Sequence, residues 1–242
     1  MPTTTIAAPA KLTLSLRVTG VRPDGMHLID AEMVTLDLHD TLVIDAQGDH
    51  LEIVGGSSDV PVGPNNLVNR ALALTQRTAG VVLSKRIPSQ AGLGGGSSDA
   101  GAILRWAGFD DVVAAASIGA DVAFCLVGGR ARVLGIGDVI EPLAFRSETF
   151  TLVTPPVACS TPDVYRAWDD LGAPTSDSGN DLEPAALLVA PELVTWRDEL
   201  WEAAGTRPML AGSGSTWFVR GSYPGRGRTV VETTPAGWEP SG

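Results

Sequence analysis

The chain has 242 residues, 44% of them hydrophobic and 19% charged, and a formal net charge of −11. That length fits one large domain or two ordinary ones, and the composition is globular rather than disordered. An acidic chain offers no basic face to nucleic acid or an anionic membrane, yet it can hold a phosphorylated small molecule on local backbone donors.

The start, MPTTTIAAPAKL, has no charged region leading into an apolar core, so no secretory signal is visible. KLTLSLRV, Lys11 to Val18, alternates apolar and polar positions. The alternation predicts a half-buried strand with Lys11 and Thr13 side by side on its polar face. GVRPDG is a turn, and further strands are predicted over 29–38, 41–46 and 50–54. GGSSDVPVGPNN is loop; Asn65 or Asn66 caps a helix over LVNRALALTQRT, which Gly80 stops. A strand over 81–86 leads into IPSQAGLGGGSSDAGAIL.

That stretch joins a strand, a glycine-rich loop and a helix predicted from near Ser97 to about Trp106. Free amides at a helix start, with the helix dipole behind them, bind anions. Glycines let such amides approach phosphate oxygens with no Cβ in the way. The expected nucleotide-binding residues are Pro88, Ser89, Gln90, Ala91, Gly92, Leu93, Gly94, Gly95, Gly96, Ser97 and Ser98. The hydroxyls of Ser97 and Ser98 can reach a phosphate or a metal ion. A Walker A loop is excluded because no lysine follows the glycines, and the GxGxxG dinucleotide fingerprint fails at Ser97.

VVAAASIGADVAFCLVGG, Val112 to Gly129, is apolar apart from Asp121 and lacks flanking basic residues. It is expected to be buried core rather than a membrane span. Cys125 and Cys159 show no metal or redox spacing and are expected to be buried free thiols in a cytoplasmic protein. Short strands are expected over 131–134 and 150–154. Thr161 opens a helix with Pro162 in its first turn, and NDLEPAALLVAPELVTWRDELWEAAG is helical with a break at Pro191. Strand and loop return in LAGSGSTWFV and RTVVET, and the tail PAGWEPSG is expected to fray. A change of character near 145–150 suggests a sheet-rich first part and an α+β second part.

PSQAGLGGGSSDA resembles the second motif of the GHMP kinases, and the triple glycine before SSDA resembles one branch of that family. APAKLTLSL, VTGVRPDGMHLID, NNLVNRA, IGADVAFCLVGG, STPDVYRAW, NDLEP and AGSGSTWFV match the same branch in order, from about residue 6 to residue 219. The resemblance implies an α+β fold of two domains, 1–147 and 148–242, with the active site in the cleft between them. It implies an ATP- and Mg²⁺-dependent kinase of isoprenoid biosynthesis whose acceptor is a cytidine diphosphate alcohol, with no nucleic-acid or membrane partner and the oligomeric state left open.

By the same resemblance Lys11 and Asp121 address the reacting hydroxyl, and Asn66 lies on the adenosine side. Ser98 is the implied Mg²⁺ ligand, and Thr13, Met26, His27, Tyr165, Gly212 and Ser213 form the acceptor side. The residues speak for the catalytic pair independently. Lys11 and Lys85 are the chain's two lysines, and a compact ammonium does what an arginine fork does not. An acid alone in an apolar stretch is costly unless paired, and Lys11 is a fitting partner for Asp121. Met26 stands where the branch has tyrosine, Thr13 where it has asparagine and Ala123 where it has proline, and the C-terminal region is short. These departures keep a different small alcohol open as acceptor. A nucleotide-binding protein without turnover would be expected to lack the lysine or the acid, and both are present.

Overall fold

The computed structural model describes residues 3–56 and 61–240; positions 57–60 of the predicted loop and the last two residues of the tail lie outside them. β1 (Thr4–Val21) and β2 (His27–Asp45) form a long antiparallel pair, joined by the predicted turn. The two strands expected over 29–46 are one, because nothing between Leu38 and Thr41 breaks an extended backbone. β3 (Leu51–Gly55), α1 (Leu67–Leu74), β4 (Gly80–Lys85) and α2 (Gly95–Trp106) follow. Next come α3 (Val112–Ile118), α4 (Val122–Val127), β5 (Arg130–Gly135) and β6 (Val139–Pro142). The remainder is β7 (Thr149–Val153), α5 (Thr161–Asp170), α6 (Glu183–Val189), α7 (Leu193–Ala204), β8 (Met209–Leu210), β9 (Trp217–Arg220) and β10 (Arg228–Thr234).

The main path of the sheet runs β3-β4-β2-β10-β7-β9-β8, with β1 also on β2 and β5 linking β2 to β6. β10 lies along β7 and lends its last two residues to β2, so the final strand stitches together sheet formed before and after residue 147. A core of Leu12, Leu36, Ile87, Leu93, Phe150 and Phe218 crosses the same seam. A second core lies under α1, α2 and α4 and includes Leu42, Val81, Leu83, Ile103 and Val122. A third joins Met33 and Phe124 to Trp168, Leu182 and Trp217.

Four expectations are corrected. β1 is buried on both faces around Lys11, because its polar side faces a cleft and its neighbours instead of bulk water. α1 ends at Leu74, where the Thr75 hydroxyl donates back to the carbonyls of Ala71 and Leu72. α2 begins at Gly95, two residues before Ser97. The tail does not fray through residue 240: the Ala7 N–H donates to the Glu239 carboxylate, and Trp238 meets His39 edge-on.

The apolar 112–129 stretch is split into two short helices: α4 is buried core as expected, while α3 buries only Ala115 and Ile118 and leaves Val113 exposed. No described helix is long and apolar enough to cross a membrane. Both cysteines are buried and free.

Candidate active site

A cleft of about 940 Å³ is walled by β1, the glycine loop and α2 on one side and by α5 and the loop after β8 on the other. The glycine loop sets its shape. Gly94 caps α2 in the left-handed region at φ 67°, and the Ser98 N–H makes the first in-helix bond, to the Gly94 carbonyl. The N–H groups of Gly95, Gly96 and Ser97 therefore have no partner within the helix, and all three residues line the cleft. Glycine at 94 also answers to the protein: a Cβ there would sit 2.6 Å from Lys11 Cγ. Leu93 accepts from the Lys11 N–H at 3.0 Å and Ala91 from the Thr216 N–H at 3.2 Å, so the loop is held between β1 and the C-terminal part.

Beside the loop lies a cluster that motif reasoning missed, two of whose members, Lys85 and Asp99, also line the cleft. Lys85, at the end of β4, places Nζ against Asp40 Oδ2 of β2 and 2.7 Å from Asp99 Oδ2 of α2. Asp40 Oδ1 accepts the backbone N–H groups of Arg86 and Ile87, while Asp99 Oδ1 has no partner among the described residues. Burial alone would lower the Lys85 pKa, but the charges of Asp99 and Asp40 outweigh it and hold the ammonium above its usual range. Burial pushes the Asp99 carboxyl up to about 7, with Lys85 pulling it down and Asp40 pushing it further up. A sequence signal existed. Along β2, Leu36, Leu38, Asp40, Leu42 and Ile44 share one face, and along β4 so do Val81, Leu83 and Lys85. Charges on apolar faces needed partners.

In the middle of the cleft Lys11 Nζ donates to Thr13 Oγ1 at 3.1 Å and lies 3.4 Å from Asp121 Oδ2. Lys11 is 4% exposed. Asp121 immediately precedes α4, yet its carboxylate caps no helix amide and remains 34% exposed in the cleft wall. Burial, with the Asp121 charge adding to it, raises the Tyr165 hydroxyl above its usual range and pushes the Cys125 thiol up to about 12. Cys125 is thus an inert thiol beside a reactive-looking carboxylate.

At the far end the His27 ring lies 4.6 Å from the Tyr165 ring at 35°, and its Nε2 is 2.9 Å from Asp169 Oδ1. Met26 lines the cleft but is 44% exposed, and the aromatic partner of Tyr165 is His27. Ser213 Oγ is hydrogen-bonded to Thr161 Oγ1 at 2.8 Å. The Gly212 carbonyl accepts from Asn180 Nδ2 at 2.7 Å, and that amide also holds the Leu210 carbonyl. Asn180 of the NDLEP motif therefore fixes the loop that lies against Lys11. Asn180 and the cleft residues Arg166 and Asp169 were not singled out from sequence; they sit beside quoted motif positions but carry no signal of their own.

The cleft gathers Lys11, Thr13, Met26, His27, Asn66, Asp121, Tyr165, Gly212 and Ser213 with the loop residues Pro88, Ser89, Gln90, Ala91, Gly92, Gly94, Gly95, Gly96 and Ser97. It leaves out Leu93 and Ser98. Leu93 belongs to the core and contributes its carbonyl to β1. Ser98 is 1% exposed and turns its hydroxyl to Cys125 Sγ at 3.5 Å, so the serine oxygen at the cleft is that of Ser97. The Asn66 side chain is occupied in capping α1, accepting from the Val68 N–H at 2.8 Å and donating to the Pro61 carbonyl at 2.6 Å. Any contact it makes to a ligand comes on top of that structural role.

No family profile matches the chain. Individual proteins do. A 4-diphosphocytidyl-2-C-methyl-D-erythritol kinase of Cereibacter sphaeroides is 36% identical over 264 aligned residues, covering 96% of this chain and 95% of the relative. One of Ruegeria pomeroyi is 35% identical over 258, covering 95% and 92%. A crystal structure of 4-(cytidine 5'-diphospho)-2C-methyl-D-erythritol kinase is similar with a TM-score of 0.76 at 32% identity, covering 95% of this chain and 99% of that one. Mevalonate kinase of L. major, solved with R-mevalonate, shares the fold at a TM-score of 0.61 and 12% identity, covering 96% of each chain.

Proposed function

The chain belongs to the 4-diphosphocytidyl-2-C-methyl-D-erythritol kinase family, and from that premise we propose that Lys11 and Asp121 address the acceptor hydroxyl while the glycine loop holds ATP. It is a small-molecule phosphotransferase of isoprenoid biosynthesis with ATP as phosphate donor. The acceptor in this reading is 4-diphosphocytidyl-2-C-methyl-D-erythritol, phosphorylated on its 2-hydroxyl.

One observation carries the reading: the ammonium–carboxylate pair of Lys11 and Asp121 shares a cleft with the free first-turn amides of α2. Phosphoryl transfer asks little covalent chemistry of a protein; it needs alignment and neutralisation of charge. The amides of Gly95, Gly96 and Ser97 are fixed donors for phosphate oxygens and cost no reorganisation during the reaction. Asp121 accepts the hydroxyl proton or orients it, and Lys11, paired with that carboxylate at 3.4 Å, adds positive charge beside the transferred group. Mg²⁺, when bound with ATP, offsets phosphate charge. Hard oxygen donors at the cleft wall, the Ser97 hydroxyl and the Asp121 carboxylate, suit that ion, which takes few protein ligands.

The acceptor's cytosine is assigned to the Tyr165–His27 end, where a flat base can stack on the Tyr165 ring. The free buried thiols go with a cytoplasmic setting. Met26 and Thr13 favour a second reading, a different small alcohol: Met26 offers no ring, and the Thr13 hydroxyl already accepts from Lys11. Coupled ADP release with purified protein separates the two. Release is expected with the cytidine diphosphate alcohol; release only with homoserine or mevalonate moves the acceptor assignment.

A further inference from the structure

We infer that Asp40 is the positioning residue of the glycine loop, a buried carboxylate that, through Lys85 and Asp99, ties the start of the loop to the helix that ends it. The inference rests on the nucleotide-binding reading of that loop and adds a residue outside its motifs. Asp40 is fully buried, and its position follows from register: Thr41 pairs with Ser84 in an antiparallel ladder, so the residue before Thr41 lies opposite Lys85. Its Oδ1 takes the amides of Arg86 and Ile87, the last two residues before Pro88, and its Oδ2 takes Lys85 Nζ. The same ammonium reaches Asp99 Oδ2, one turn into α2, at 2.7 Å. Lys85 Nζ also lies under the first turn of the helix, 3.2 Å from where a Gly95 Cβ would be. One carboxylate thus grips both sides of the segment 88–94, which a chain so poor in side chains cannot brace by itself.

Stability does not explain the cluster. Three buried ionisable groups on otherwise apolar faces are matched or bettered by hydrophobic residues of similar volume, because each charge loses its hydration. What an apolar substitute cannot do is accept two backbone amides and an ammonium at once, in directions that fix where the following residues go. A loop whose amides must meet phosphate oxygens within a fraction of an ångström needs such a support.

The experiment compares Asp40→Ala, Asp99→Ala and Asp99→Asn in the full chain, reading ATP and acceptor dissociation constants by calorimetry and amide hydrogen exchange peptide by peptide. Asp40→Ala and Asp99→Ala are expected to weaken ATP by about tenfold or more, toward the ~10²-fold that small displacements of reacting groups cost. The acceptor constant stays within about twofold of wild type, and exchange rises in the 86–98 peptide alone. Asp99→Asn keeps an acceptor for Lys85 and restores ATP binding to within about threefold. Should Asp40→Ala fail to fold, Asp99→Ala carries the test, since alanine suits a helix interior. Either alanine variant binding ATP as wild type does, or losing ATP and acceptor affinity in equal measure, overturns the inference. Wild-type protein that fails to bind ATP overturns the nucleotide reading instead, so the two failures are distinct.

Discussion

The two ends of the cleft are made differently. The proposed nucleotide end comes mainly from one run of sequence, Lys85 to Asp99, and presents backbone amides backed by an ion cluster that Asp40 of β2 completes. The acceptor end is assembled from β1, the turn before β2, α5 and the loop after β8, and it presents side chains, several of them exposed. A surface of main-chain donors reads only that its ligand is a polyanion, and almost no substitution can retune it. A surface of side chains from separate elements can be altered one residue at a time. Met26 and Thr13, the two cleft positions where the sequence pattern departs from the family it resembles, both lie on the second surface.

Substitutions sharpen that contrast. Asp121→Asn, at the junction of the two ends, has the largest expected effect: turnover falls by about 10²–10⁴-fold while ATP and acceptor still bind. Stopped coupled assays beside calorimetry check this, and an undiminished rate removes Asp121 from the chemistry. Gly94→Ala strikes the nucleotide end. Its left-handed backbone costs a non-glycine residue about 1–3 kcal/mol, and the new Cβ presses on Lys11 Cγ at 2.6 Å. ATP affinity and turnover are expected to drop together, by roughly 10²-fold; loss of turnover with intact ATP binding would place the loop's role elsewhere. Tyr165→Ala strikes the acceptor end only. Its acceptor KM rises about tenfold, the value of one lost stacking partner, and its ATP KM is unchanged. An unmoved acceptor KM means the base is not on Tyr165.

The same contrast decides what the sequence revealed. The glycine loop and the helix behind it were legible because their signal is local: glycines, serines and a helix start within one stretch. Lys11 and Asp121 were legible as isolated charges in apolar surroundings. The acceptor end was legible only where motif residues marked it, since the approach of Asp169 to His27 depends on how α5 settles against β2, a tertiary fact. Ser98 misled because two adjacent serines at a helix start point about 100° apart, and only one can face the cleft. Asn66 has one side chain for two roles, and the cap is visible. The strands other than β6 were found, but their continuity was not: β10's pairing with β2 joins residues nearly two hundred positions apart.

The smallest expected effect tests whether the nucleotide end carries its ion cluster as a cost. Asp99 titrates near its ordinary 3.8 when unfolded and at about 7 when folded, chiefly because burial disfavours its charge. Between those values the folded protein holds a proton that the unfolded chain has released, so this group's contribution to stability falls as pH rises from about 4 to 7 and is flat above. Lys85 from β4 and Asp40 from β2 are the charges that face it, and Lys85, held above its usual range, stays protonated throughout. The melting temperature of wild type minus that of Asp99→Asn is therefore expected to decline by roughly a few degrees between pH 5 and pH 8. A difference that stays flat over that range would mean that Asp99 is held ionised by Lys85 throughout, and that burying the cluster carries no such cost.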